Sequence, residues 1–214
     1  MRKEQFVEGE YYHIYNRGVE KRLIFFNDLE RTRFVNSIYL LNNFSDIPPQ
    51  FDVINLSPPE LLTPIEPYVE IVAGCLMPNH YHLMCTPKIK NGISKFLHKI
   101  GTSYARYFNI KHERTGRLFS STFKAKHVDR HEYAVYLTQY IHLNPVELFQ
   151  AKLGKEMALE AVKVYQWSSL PDYLGGKSKF SLIISPNFRD QVLDLNRDDY
   201  SSMVGEIYKE SFQA

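Results

Sequence analysis

The amino-acid sequence predicts an α+β fold, an antiparallel sheet with helices packed on one face and a helical extension at the C-terminus. Two observations support this fold class. Strand-like segments are interleaved with amphipathic helices in the order strand, helix, strand, strand, helix, strand, helix. Hydrophobic residues make up 44% of the 214 positions, and 29 residues are Phe or Tyr, which is enough for a packed core. A ferredoxin-like arrangement is the most economical topology for this order.

The N-terminal half predicts one strand, one helix and one long connection. Residues 11–18, "YYHIYNRG", form a strand that ends at a glycine turn. Residues 28–44 begin with an acidic residue and place apolar side chains at helical spacing, which predicts a helix. Residues 45–67 are rich in proline and predict an irregular excursion, with a short strand "FDVIN" at 51–55.

The following residues complete the predicted sheet and its helices. Residues 69–87 are rich in β-branched and apolar residues and predict one long strand or two. Residues 92–109 carry an apolar stripe along one helical face, and residues 114–128 predict a turn followed by a strand. The next helix is expected to run from an N-cap at Asp129 to a stop at Pro145.

Several protein classes are disfavoured by what the sequence lacks. Two cysteines, Cys75 and Cys85, imply no disulfide framework and are expected to be buried. The N-terminus has no apolar signal-like region and no run reaches 18 apolar residues, so a cytoplasmic protein without a membrane partner is expected. The motif "LGGKS" ends like a phosphate-binding loop, but Pro171 stands where its first glycine belongs, so no nucleotide triphosphate is expected.

Positive charge is concentrated in one segment of the chain. Residues 86–127 contain ten Lys or Arg and one acid, Glu113, so this segment carries +9. Because the whole chain carries +2, the remainder carries −7. Such asymmetry predicts either a face for a polyanion such as nucleic acid or an ordinary solvated surface.

The most distinctive motif is "MPNHYHLM" at residues 77–84, where two histidines flank a tyrosine. Alternate side chains of a strand share one face, so His80 and His82 point the same way with Cα atoms about 7 Å apart. Two imidazoles at this spacing can hold one metal ion. They can equally be half-buried strand residues that hydrogen bond to the backbone or to water.

A helix elsewhere in the sequence offers a third ligand. Its three tyrosines, spaced three and four residues apart, form one stripe, which is more often core than chemistry; they are Tyr133, Tyr136 and Tyr140. Tyr140 differs from the other two because Asn144 follows it one turn later, just before a proline. Two histidines and this amide would make a three-ligand divalent site with open positions, suited to Mg²⁺ or Mn²⁺ acting on a phosphate.

Four motifs together resemble those of the HUH-type single-tyrosine transposases, a superfamily that includes insertion-sequence transposases. The motifs are "MPNHYHLM", "GRLFSSTFKAKHV", "YIHLNPV" and "YQWSSLPDYLGG". The resemblance runs from residue 11 to about residue 176 and is greatest to the REP-associated branch. It implies an RNA-recognition-like form of the ferredoxin-like sheet. It also implies that His80, His82 and Asn144 bind the metal and that Tyr140 is the nucleophile.

The resemblance predicts an enzyme that cleaves and rejoins single-stranded DNA at hairpin-forming repeats through a covalent 5′-phosphotyrosine. The residues predicted to contact DNA are Arg17, Lys95, Lys99, Arg106, Arg117, Lys124 and Lys126. The family often has a Gln and an Arg in the strand after "GRLF", where this chain has Ser120 and Ser121, so one DNA contact is expected to be lost or relocated. His142 is expected at the surface or on the DNA.

The remaining expectations concern organisation and competing functions. Residues 1–150 are predicted to form the catalytic domain and residues 151–214 an extension packed on it. The protein is expected to associate with the nucleoid when bound to DNA, and a homodimer is left open. The main alternative function is a catalytically silent module of the same fold that binds single-stranded DNA or RNA. A weaker alternative is a metal hydrolase that uses activated water and does not need the tyrosine.

Overall fold

A four-stranded antiparallel sheet is the centre of the protein. The computed structural model describes residues 5–44, 66–185 and 188–212. The strands are β1 (Tyr11–Arg17), β2 (Val69–Met77), β3 (His80–Pro87) and β4 (Lys124–Val128), in the spatial order β2-β3-β1-β4. Residues 69–87 therefore form a hairpin of two strands rather than one long strand. The predicted α+β class and the predicted order of the first seven elements are confirmed.

Helices cover both faces of this sheet, whereas the sequence predicted helices on one face. On one face, α1 (Asp28–Leu41) and α2 (Gly92–Lys111) pack together, and Phe34 of α1 contacts Tyr81 of β3. On the other face lies α3 (His131–Leu143), where Tyr140 meets His82. Tyr81 and His82 are consecutive strand residues, so they point to opposite faces. Because helices cover both faces of the sheet, β3 is buried along nearly its whole length.

Of the two predicted ends of α3, the C-terminal end agrees with the structure and the N-terminal end does not. The predicted N-cap at Asp129 is wrong, because the helix begins two residues later and Arg130 occupies the N-cap position without a side-chain cap. The predicted stop at Pro145 holds, since α3 ends at Leu143 and Pro145 starts the next helix, α4 (Val146–Leu153). Proline has no backbone N–H, so it interrupts one helix but is tolerated at the start of another.

The C-terminal residues pack along the edge of β2, the outermost strand on that side of the sheet. They form α5 (Lys155–Lys163), α6 (Leu170–Tyr173), a π-helical turn (Phe188–Val192) and α7 (Arg197–Phe212). Backbone hydrogen bonds join Leu76 to Trp167 at 2.8 Å and Ser169 to Gly74 at 2.9 Å. These bonds pair groups that an edge strand would otherwise leave open. The extension therefore packs on the sheet, while the domain boundary at residue 150 stays a prediction.

One buried histidine links α3 to this extension. His142, expected at the surface or on DNA, is buried instead. Its Nδ1 lies 2.7 Å from the Tyr200 hydroxyl of α7, and its Nε2 lies 2.7 Å from the Ser169 hydroxyl. The prediction was wrong because His142 lies on the side of α3 that faces the core, which the helical spacing alone did not reveal. The helix that carries Tyr140 is thus tied to both the sheet edge and α7.

Three further expectations concern the cysteines, the membrane and the proline-rich excursion. Cys75 and Cys85 are free and buried, as predicted. Within the described parts of the chain, no helix is both long enough and apolar enough to cross a membrane. The predicted proline-rich excursion at 45–67 and its strand at 51–55 lie outside the described residues, apart from positions 66 and 67.

Candidate active site

A polar cavity of about 320 Å³ lies at the hairpin end of the sheet, beneath α3. Residues from β1, β3, the segment before β4, the end of α3 and the start of α4 line it. They are Tyr15, Asn16, Arg17, His80, His82, Ser120, Ser121, Lys124, Tyr140, Asn144 and Glu147. The two histidines, the tyrosine and the asparagine singled out in the sequence therefore meet in one place, although about 60 residues separate the pair from the helix.

The histidine pair shares one face of β3, with ring centroids 5.1 Å apart. Pairing of β1 with β3 places Tyr15 opposite His82 and Arg17 opposite His80. Burial lowers the pKa of His82 to about 2, and burial likewise lowers the pKa of His80. Nearby positive charge from Arg17 lowers both pKa values further. Both imidazoles are therefore neutral near pH 7, the form that can donate a lone pair to a metal ion.

Each histidine of the pair has its Nδ1 atom occupied. The Nδ1 atom of His80 lies 2.6 Å from Oδ1 of Asn79, whose amide nitrogen donates to the Lys21 carbonyl. This second bond orients the amide, so Nδ1 of His80 carries the proton and Nε2 carries the lone pair. The Nδ1 atom of His82 lies 2.8 Å from Nε2 of His13 on β1. In both histidines, therefore, Nε2 is the ring nitrogen available to bind a ligand.

Only one of the three α3 tyrosines lines the cavity. The Tyr140 ring is perpendicular to that of His82, with centroids 5.8 Å apart, and the side chain is 42% exposed. Tyr136 stacks on Tyr140 at 6.4 Å but lies farther out, and Tyr133 packs under the ammonium of Lys126 at 4.5 Å. A phosphate in the cavity would therefore meet the phenol of Tyr140 and neither of the other two.

Asn144 follows the last residue of α3 and occupies its C-cap. Its side-chain nitrogen donates to the Tyr140 carbonyl at 2.7 Å, which satisfies one of the free carbonyls at the helix end. The Asn144 side chain also lies near His80, where its interaction with the ring raises the pKa of that histidine, although burial lowers the pKa overall. The amide is thus held against both the tyrosine segment and the histidine pair.

The donor set is compatible with a divalent cation, although it is not an all-histidine or all-carboxylate cluster. Within the described residues, no group of three or more His, Cys, Asp or Glu side chains could hold a metal ion. The candidate set is instead two imidazole nitrogens and one amide oxygen. Imidazole nitrogens and an amide oxygen are donors that a divalent cation such as Mg²⁺ or Mn²⁺ can accept.

The predicted DNA-binding cations fall on two surfaces. Arg17 and Lys124 line the cavity, and Lys126 lies beside it, opposite His13 across β1 and β4. Arg117 is exposed in the loop before β4. The other three residues lie on α2, behind the opposite face of the sheet; they are Lys95, Lys99 and Arg106.

Lys99 shows how far that second surface lies from the cavity. Its ammonium lies 4.9 Å from the ring of Tyr68, just before β2, and 3.1 Å from the Asn43 carbonyl. This is the end of the sheet where Val69 pairs with Pro87, seven residues along β3 from His80. Seven strand residues span about 23 Å.

The sequence motifs did not identify His13, which contacts His82, or Glu147, which lines the cavity. Positions 13, 15 and 17 of "YYHIYNRG" share one strand face with the histidine pair, but this signal becomes usable only when the pairing of β1 with β3 is known. Glu147 lies in the first turn of α4, and its negative charge raises the pKa of His80.

The segment before β4 reaches the cavity through β1. The side-chain nitrogen of Asn16 donates to the carbonyls of Ser121 and Thr122 at 2.9 and 3.0 Å, and Ser120 donates its N–H to the Arg17 carbonyl at 2.9 Å. These bonds hold Ser120 and Ser121 in the cavity wall. The hydroxyl-bearing residues of this segment therefore lie in the wall of the candidate site.

Comparisons with known proteins agree with this geometry. The family described as "Transposase IS200 like" matches residues 66–144, the segment that runs from β2 through α3 to Asn144. A solved structure of a REP-associated tyrosine transposase bound to a REP hairpin matches with a TM-score of 0.54 and 13% identity. That match covers 91% of this chain and 94% of the other. No curated protein sequence matches the chain.

The matched segment is similar to IS200-like transposases, and the fold of the chain is similar to that of the solved REP-associated tyrosine transposase. The resemblance found in the sequence motifs is thus confirmed, because the matched residues include the histidine pair, the tyrosine and the asparagine.

Proposed function

We propose that this protein is a metal-dependent enzyme that cleaves and rejoins single-stranded DNA, with Tyr140 as the nucleophile. The observation that supports the proposal most directly is the meeting of four groups in one cavity: the phenol of Tyr140, the neutral imidazoles of His80 and His82, and the amide of Asn144. A protein that only bound nucleic acid would need a charged or aromatic surface, but it would not need this combination.

The reaction would proceed by direct attack of the phenol on a phosphodiester. The Tyr140 oxygen forms a bond to phosphorus and loses its proton, while the bond to the 3′ oxygen breaks and that oxygen gains a proton. The products are a 5′-phosphotyrosine and a free 3′-OH. Attack by another 3′-OH reverses these steps and joins strands, so the phosphodiester energy is conserved and no nucleotide triphosphate is required.

His80, His82 and Asn144 would hold a Mg²⁺ or Mn²⁺ ion. When bound, such an ion supplies positive charge that polarises the scissile phosphate and neutralises the charge developing on it. An unperturbed phenol has a pKa of about 10 and is a poor nucleophile at neutral pH, so this assistance matters. The C-cap bond from Asn144 to the Tyr140 carbonyl would keep the nucleophile and the ion in register.

The proposed substrate is single-stranded DNA that carries a hairpin-forming repeat. Arg17 and Lys124 in the cavity wall, with Lys126 beside it, are placed to neutralise phosphates on either side of the scissile one. We assign weaker or more distant contacts to the cations on α2 and to Arg117. The similar solved structure is bound to a REP hairpin, which supports a hairpin substrate and the REP-associated branch for this chain.

The test is a covalent-adduct assay on hairpin oligonucleotides taken from the DNA that flanks the gene. A 5′-phosphotyrosine carries the fragment on the 3′ side of the cut, so a 3′-end label should migrate with the protein on a denaturing gel. A 5′-end label should instead be released on a shorter fragment with a 3′-OH. Both results should require Mg²⁺ or Mn²⁺ and should disappear in excess chelator.

The same assay separates the alternatives. Specific hairpin binding without cleavage under any metal condition would favour the silent binding module. Cleavage without a protein-linked fragment would favour a hydrolase that uses water. Mixing an inactive His80 variant with an inactive Tyr140 variant tests whether two chains of a homodimer share a site, since recovered activity would require one chain to complete the other chain's site. The same-chain contact of Tyr140 with His82 leads us to expect no recovery.

A further inference from the structure

His13 of β1 makes the closest side-chain contact to the candidate metal ligand His82. Its Nε2 atom lies 2.8 Å from Nδ1 of His82, and the two rings are nearly parallel with centroids 5.0 Å apart. Both side chains are almost fully enclosed, at 7% and 6% exposure. A hydrogen bond between two enclosed imidazoles is a specific arrangement, because one ring must donate its N–H and the other must accept with a lone pair.

The proton between the two rings decides whether His82 can bind a metal ion. A neutral imidazole carries one N–H and one lone pair. If His13 donated to His82, the proton of His82 would lie on Nε2, and that atom could not ligate. If His82 donates from Nδ1 instead, its Nε2 lone pair is free to point into the cavity. The second arrangement requires His13 to act as an acceptor through Nε2.

The neighbours of His13 fix the position of its ring. Lys126 lies opposite His13 across β1 and β4. The His13 ring also packs on that of Tyr15, with centroids 4.9 Å apart, and lies nearly perpendicular to the Tyr140 ring, with centroids 6.3 Å apart. The ring of His13 is therefore held in place from several sides. It can act as a fixed partner for His82.

We propose that His13 is a positioning residue that holds His82 with its Nε2 lone pair directed at the metal site. This inference rests on the proposed function, since it assumes that His82 ligates a divalent cation. Outer partners of metal-bound histidines are more often carboxylates or carbonyls, and they fix the ring orientation and its tautomer. Here a second histidine would serve that purpose, which also keeps a negative charge away from the DNA-facing cavity.

The first test measures Mn²⁺ binding by the free-Mn²⁺ electron paramagnetic resonance signal, without DNA or turnover. Removing an outer partner typically weakens metal binding about 10- to 100-fold, so we expect this loss for His13→Ala. His13→Gln should bind nearly as well as the unmodified protein, because its amide oxygen can occupy the position of Nε2 and accept the same proton. His127→Ala is the matched control, since His127 lies on the other face of the sheet in an exposed contact with Glu10.

The second test needs no variant and so does not depend on whether His13→Ala folds. Long-range ¹H–¹⁵N spectra of the unmodified protein in saturating Mg²⁺ report which ring nitrogen of His82 is protonated. We expect Nδ1. Protonation at Nε2, or Mn²⁺ affinity of folded His13→Ala within threefold of the unmodified protein, would overturn the inference alone. Failure of the unmodified protein to bind Mn²⁺ would overturn the proposed metal site, and the inference with it.

Discussion

At the scale of single residues, the chemistry depends on which tyrosine of α3 reaches the cavity. Tyr136 and Tyr140 are both exposed and stack on each other, at 51% and 42% exposure, so exposure alone does not distinguish them. What distinguishes Tyr140 is its contact with His82 and the hydrogen bond between its own carbonyl and Asn144. These contacts place one phenol, and not its neighbours, beside the proposed ligands.

We expect Tyr140→Phe to abolish the covalent protein–DNA species while hairpin binding is unchanged. The substitution removes one oxygen and keeps the ring, so the packing on His82 should persist. Tyr133→Phe and Tyr136→Phe are the matched controls on the same helix, and both should form the adduct at near-normal yield. An adduct that survives in Tyr140→Phe and is lost in either control would show that the nucleophile is misassigned.

We also expect His80→Ala and His82→Ala to lose cleavage by at least about 10²-fold, because the lost ligation would withdraw the charge that stabilises the transition state. Thermal melting should show that both variants are folded. Binding of Mn²⁺ should weaken in parallel with activity. His98→Ala, an exposed histidine on α2, is the control and should alter neither quantity. Full cleavage in both variants, or in excess chelator, would remove the metal from the mechanism.

At the scale of elements, a buried carboxylate links α1 to α2 on the face of the sheet opposite α3. Glu30, in the first turn of α1, is fully buried and lies 2.8 Å from Nζ of Lys111 and 2.7 Å from Nε2 of His112, where α2 ends. It also accepts the N–H of Phe26 at 2.7 Å. Burial raises the pKa of Glu30, but these hydrogen bonds and the charge of Lys111 outweigh burial, so the pKa lies below its ordinary value.

We expect Glu30→Gln to lower the free energy of unfolding by about 1.5–3 kcal/mol at pH 7, the usual cost of losing a charge-assisted hydrogen bond. A carboxylate with a lowered folded-state pKa stabilises the protein above its unfolded pKa, and this stabilisation is lost as pH falls through the folded-state pKa. Urea unfolding at pH 7, 5 and 3.5 should therefore show the difference between the two proteins narrowing with acid. Glu132→Gln, an exposed glutamate on α3, is the control. A pH-independent difference would contradict the assignment.

At the scale of the whole molecule, the basic segment 86–127 is one stretch of sequence but two surfaces. From the sequence, its charge of +9 predicted either a single face for a polyanion or an ordinary solvated surface. In the structure, Lys124 and Lys126 lie at or beside the cavity, while Lys95 and Lys99 belong to α2 behind the opposite face. Phosphates near the cut strand should therefore be neutralised by β4 and β1 rather than by α2.

This separation can be tested with two double variants of equal charge change. Each phosphate neutralised on a single strand adds about 0.7 to the magnitude of the slope of log affinity against log salt. Lys124→Gln with Lys126→Gln should lower that magnitude by about 1.4 for unpaired DNA across the scissile site. Lys95→Gln with Lys99→Gln should change it much less. Equal changes would mean that the cations on α2 also follow the strand.

Local patterns in the sequence were sufficient to predict the element order and to select the candidate site residues that the cavity brings together. Alternation in a strand was enough to place His80 and His82 on one face, and helical spacing with a following proline was enough to single out Tyr140 and Asn144. These signals are local, because each depends on residues within one or two turns or strand positions of one another. The family resemblance rested on the same short motifs.

Which residues distant in sequence come into contact could be learned only from the folded chain. Strand pairing brought His13 of β1 to the back of His82, and the helix connection brought Glu147 into the cavity wall. The side of α3 that faces the core carried His142 inward to Tyr200, against expectation. Helices on both faces of the sheet divided one basic segment into two surfaces. These outcomes depend on contacts between residues far apart in sequence, and local periodicity cannot predict such contacts.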